Sequence, residues 1–108
     1  MPRITLEVPH SLGLEEAMRR LKDKFAAAKA EHHARVSNLR EEWRDHTLSF
    51  ALQAMGMGVS GTVAVEADQV KFDAELPFAA SFFKGAIEQR LRQEVSTLLA
   101  SDKTPRVN

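Results

Sequence analysis

The 108-residue chain has no cysteine, no tyrosine, a single tryptophan and no net charge. Each absence removes a class of function. Without cysteine there is no disulfide, no thiolate metal site and no thiol nucleophile, which fits a reducing compartment and makes a cytoplasmic location the expectation. Fifteen Lys and Arg against fifteen Asp and Glu leave no overall field to draw the chain to nucleic acid or an anionic membrane. With Trp43 alone and no tyrosine, stacking on unpaired bases is poorly supplied, so no nucleic-acid partner is expected. No apolar run approaches the ~20 residues of a membrane span. Residues 1–8 alternate instead of forming the apolar stretch of a signal peptide. What is present is 44% apolar, enough for one core. Residues 1–100 are expected as a single domain and the polar stretch 101–108, which contains Pro105, as a disordered tail.

Periodicity gives the elements. Arg3 to Val8 alternates, with Ile4, Leu6 and Val8 on one face, and Pro9 stops the strand. Ser11 can cap a helix whose first turn carries Glu15 and Glu16. Leu14, Met18, Leu21, Phe25, Ala28 and His32 form its apolar stripe, and Ser37-Asn38 is its expected end. Such a helix of ~25 residues would run ~37 Å. Leu39 to Arg44 is a weak strand, Asp45-His46 a tight turn and Thr47 to Gln53 a clear strand. Met55-Gly56-Met57-Gly58 leads into strands at Val59–Glu66 and Val70–Leu76. The last helix is expected from Phe78 to about Ala100, with Phe83, Ile87, Leu91, Val95 and Leu98 as its stripe and Phe82 and Ala86 widening it. The order β-α-β-β-β-β-α predicts an α+β fold: an antiparallel sheet of about five strands with two long helices packed on one face.

The motifs that would carry chemistry fail on geometry. Gly56-Met57-Gly58-Val59-Ser60-Gly61 is a literal G-x-G-x-x-G, but a dinucleotide site needs a helix after it and the pattern that follows is a strand. With Val63 it also matches a kinase-type glycine loop, yet Val63-Ala64-Val65-Glu66 lacks the lysine and the chain is too short for a catalytic lobe. The glycines read as a hairpin turn plus a strand position where backbone approaches closely or bulges. His32 and His33 are adjacent and diverge by ~100° on a helix, unlike an i,i+4 metal pair. His10 beside Ser11 and the acidic pairs Glu15-Glu16 and Glu41-Glu42 assemble no nucleophile-base or acid-base set. No catalytic residue, cofactor site or metal site is assigned, and the chain is expected not to be an enzyme.

What remains is apolar and lies at element ends. Met55 and Met57 flank Gly56 where polar residues are usual, and Phe78 opens the crowded Phe78, Phe82, Phe83 segment. Closing one end of the core accounts for them in the ordinary way. The functional alternative is a surface patch of Met55, Met57 and Phe78 recognising a lipid, a polymer surface or a partner.

Several short motifs occur in an order that resembles a known family. They are His10-Ser11-Leu12-Gly13 with Glu16-Ala17, Trp43 with Leu48 and Phe50, Val59-Ser60-Gly61, and Phe83-Lys84-Gly85 with Ile87-Glu88. Over nearly the whole chain, to about Leu99, the sequence is similar to the polyhydroxyalkanoic acid system proteins. The resemblance implies bacterial polyester storage, with a granule surface or a granule protein as partner, and it carries no catalytic residues across. A homodimer stays open. The second function class is a carrier: a curved sheet gripping a long C-terminal helix is similar in outline to helix-grip folds, although five strands make a small sheet for a ligand pocket of ~300–1,000 Å³.

Overall fold

The computed structural model describes residues 3–54 and 56–100. The elements are β1 (Arg3–Pro9), α1 (Leu14–His32), β2 (Val36–Arg44), β3 (Thr47–Ala54), β4 (Met57–Val65), β5 (Gln69–Glu75), a 3-10 helix (Phe78–Phe83) and α2 (Lys84–Leu98). The five strands form one antiparallel sheet in the order β1-β5-β4-β3-β2. Residues 101–108, expected as a tail, and Met55 lie outside the described residues.

The register shows why one face is covered. Leu6 pairs with Phe72, Val8 and Val65 with Val70, Val63 with Phe72, and Leu48 with both Val63 and Trp43. Side chains alternate along a strand, so these residues all point to the same side. Val8, Val63, Val65, Val70 and Leu48 are buried there against Ala17 and Leu21 of α1 and Val95 of α2. Ile4, Leu6 and Leu76 make a second cluster under Ile87 and Leu91. The other face stays polar. Arg3 reaches Asp73 at 2.7 Å and Glu75 at 2.9 Å across β1 and β5.

Three helix ends differ from the sequence reading. Ser11 does not cap α1. Gly13 at φ 86° stands before the first helical residue, and the entry is pinned by His10, whose Nδ1 accepts from the Leu12 N–H at 3.1 Å while Nε2 lies 3.0 Å from the Glu66 carbonyl. Nδ1 as acceptor leaves Nε2 as the protonated nitrogen, donating to that carbonyl. The helix ends at His32, not at Ser37-Asn38; those two residues belong to β2, at a bulge where Asn38 takes φ 53°. Asparagine tolerates that left-handed backbone better than most residues. The 19-residue α1 is therefore about 28 Å long. Finally, the expected continuous helix from Phe78 begins as a 3-10 turn, closed by the Ala80 N–H donating to the Pro77 carbonyl at 2.9 Å. Three residues per turn instead of 3.6 put positions 78–83 out of phase with Ile87, Leu91 and Val95. Phe82 and Phe83 are consequently exposed and do not extend the stripe, and Ala86, within α2, is exposed as well.

Candidate functional site

Phe78, Phe82 and Phe83 are 79%, 90% and 62% exposed. They sit on one short turn, Phe-Ala-Ala-Ser-Phe-Phe, with no charged residue in it. Leaving one such ring in water forgoes about 1.5–3 kcal/mol relative to burial. These three are the exposed large apolar side chains of the described residues, which makes this segment their strongest apolar surface feature.

The sequence-derived patch of Met55, Met57 and Phe78 fares unevenly in placement. Phe78 is exposed. Met57 is half-buried and opens β4, paired with Ala54, instead of standing in a loop. Met55 lies outside the described residues. Phe78 and Met57 belong to the same end of the sheet, because β4 begins where β5 ends: Ser60 pairs with Glu75. Sequence reasoning noted the crowding of Phe78, Phe82 and Phe83 but placed Phe82 and Phe83 on the core stripe and named only Phe78 for the patch. That density was the signal, since Phe-Ala-Ala-Ser-Phe-Phe holds too many apolar groups in six residues for one helical face.

A second feature lies between the helices. α1 and α2 meet at one end, where the Arg20 guanidinium donates to the carbonyls of Leu98 at 3.0 Å and Ala100 at 2.9 Å. One turn along α1, Lys24 bridges to Glu94 at 3.2 Å. Beyond this point an open cleft of about 630 Å³ separates the helices, with Phe25, Trp43, Leu48, Val63, Phe72 and Leu91 among its lining. This cleft is open, and the five-strand sheet supplies only its floor. The helices, not sheet curvature, form its walls.

Trp43, on the β2 side of the cleft floor, is held in place. Its indole N–H donates to Glu41 Oε2 at 3.1 Å, Lys29 Nζ lies 2.7 Å from Glu41 Oε1, and Lys22 Nζ stands 5.1 Å above the ring. The Lys29 hydrogen bond, with that of Trp43, holds the Glu41 carboxyl below the usual carboxylate range against the opposing effect of burial. At the cleft mouth, hydrogen bonds from Lys24 and then Arg90 lower Glu94 in the same way.

The remaining sequence candidates are dispersed. His33 Nδ1 contacts the Ala30 carbonyl at 3.0 Å and His32 Nε2 lies 3.8 Å from Glu31. His46 is exposed in the β2–β3 turn. Gly56, with φ 78°, belongs to the connection before β4, while Gly58 and Gly61 are within β4, so no helix follows the glycine run. Glu16 is engaged by Arg19 at 2.7 Å and Arg20 at 2.8 Å, as a surface ion cluster.

Fold and site together define an α+β protein with a one-sided antiparallel sheet, an interhelical apolar cleft and a protruding aromatic turn. The chain belongs to the family described as "Putative polyhydroxyalkanoic acid system protein", whose model matches residues 4–99. No curated protein and no solved structure matches it.

Proposed function

We propose that the chain is a non-enzymatic, cytoplasmic protein of bacterial polyhydroxyalkanoate storage that associates with the granule, or regulates it, through an apolar surface contacting polyester or a granule protein. Family membership supplies the storage context. The observation that carries the surface reading is the exposure of Phe78, Phe82 and Phe83 on one uncharged turn. A chain with no net charge has little long-range attraction to offer, so contact with apolar groups must supply the affinity. The test is co-sedimentation with purified polyester granules at about 0.1 M and about 1 M salt, where screening lengths fall from about 10 to about 3 Å. Binding that persists at high salt supports apolar contact. Binding that disappears there points to charge and contradicts the reading.

A second reading is a carrier of a small hydrophobic ligand, favoured by the 630 Å³ cleft under α1 and α2. The two readings use different surfaces of the molecule and are separable by substitution.

A further inference from the structure

The inner lining of the interhelical cleft offers a ligand almost no hydrogen bond. Leu48, Val63 and Phe72 form the floor, and Phe25 and Leu91 belong to the walls. The single polar donor there, the Trp43 indole N–H, is already committed to Glu41 at 3.1 Å. Burying a polar group in such a lining would leave it unpaired at a cost of about 1–3 kcal/mol, so the buried part of any ligand must be hydrocarbon.

The mouth is different. Lys24 Nζ and Arg90 Nε both approach the Glu94 carboxylate, at 3.2 Å on Oε1 and 3.3 Å on Oε2. Two cations therefore share one anion, and both of its oxygens are taken. The terminal guanidinium nitrogens of Arg90, whose side chain is 76% exposed, make no hydrogen bond among the described residues. The other acid of the rim, Glu31, is 75% exposed and stands 3.8 Å from His32. The surplus positive charge and the free donor fork lie together at the Glu94 corner.

We infer that the cleft binds a medium-chain aliphatic carboxylate, with its chain on the Trp43–Phe72 floor and its carboxylate on the Arg90 guanidinium. The planar fork of arginine suits a carboxylate, and the volume of about 630 Å³ lies within the range of small-ligand sites. This inference rests on the carrier reading and adds to it the ligand class and the residue that reads the head group.

Trp43 is the only tryptophan and lines the cleft, so its emission reports occupancy directly. The full chain is titrated with decanoate and, separately, with decanol, both below their aggregation concentrations. Saturable changes with both ligands, tighter for decanoate, are expected. Arg90→Gln, at an exposed position, should weaken decanoate about three- to tenfold and leave decanol unchanged. Ala28→Phe, which fills the cleft, should abolish both. If decanoate and decanol bind alike and Arg90→Gln alters neither, the carboxylate assignment is wrong while the carrier reading stands. If neither ligand changes Trp43 emission saturably, or Ala28→Phe binds both as the parent does, the cleft is not the site and both fall.

Discussion

Gly61→Ala should destabilise the protein far more than its single added methyl group suggests. Gly61 lies within β4, opposite Phe50 on one side and Ala74 on the other. A Cβ built there overlaps the Asp73 carbonyl oxygen and falls 2.8 Å from Ala74 Cα and 3.1 Å from Ala74 Cβ. The first two of these atoms are backbone of β5, so no change of rotamer can relieve the contact. β4 and β5 would have to separate beside the Ser60–Glu75 and Thr62–Asp73 pairs. Overpacking of this kind costs about 1–3 kcal/mol. Restricting the unfolded chain returns about 0.4–1 kcal/mol of it. A net loss of about 1–2 kcal/mol corresponds to a fall in melting temperature of roughly 5–15 °C for a domain of this size. Gly58→Ala is the internal control, since a Cβ there meets nothing within 4 Å. Thermal melts followed by circular dichroism decide the matter. A Gly61→Ala melt within about 2 °C of the parent, or an equal fall for Gly58→Ala, would refute the argument from close strand approach.

Leu91→Ala should cost about 2 kcal/mol, the low end for such a truncation, because Leu91 is half-buried over the Ile4-Leu6-Leu76 cluster; a urea-melt loss below about 0.5 kcal/mol would remove α2 from the core. Glu16 is lowered from 4.5 to about 2, first by the Arg19 hydrogen bond and then by that of Arg20. Its folded pKa is depressed, so its stabilising effect is complete above about 4.5 and is lost as the pH falls towards 2. Urea midpoints should therefore place the parent above Glu16→Gln at neutral pH and bring the two together near pH 2, whereas a constant gap would contradict the pairing. Titration calorimetry with ATP and NAD should show no saturable binding at about millimolar concentration, since the glycine run opens no helix onto which phosphates could dock.

The sheet was largely legible because its signal is simple. Ile4, Leu6 and Val8 alternate with Arg3, Thr5 and Glu7, and a period of two assigns faces without tertiary information. The start of α1 was not legible, because it depends on a contact between distant residues. His10 finds the Glu66 carbonyl 56 positions away, and no local propensity announces that this ring, instead of the Ser11 hydroxyl, will organise the entry to α1. The start of α2 failed for another reason. Phe82 and Phe83 satisfy a helical stripe on paper, but the residues from Phe78 to Phe83 wind as a 3-10 turn and rotate away from it. The cleft was invisible because it is a gap between elements, set by the meeting of Arg20 with the end of α2, and no residue pattern encodes a gap.

The central claim is that the protein works at an apolar surface through the aromatic turn, and the most direct measurement is granule co-sedimentation of a Phe78→Ser, Phe82→Ser, Phe83→Ser variant beside the parent. All three rings are mostly in water, so circular dichroism and melting temperature should stay close to the parent values. Removing them takes away on the order of 5–9 kcal/mol of gross contact energy at any surface they enter. The account predicts a folded variant that no longer sediments with granules. A folded variant that sediments as well as the parent would contradict it.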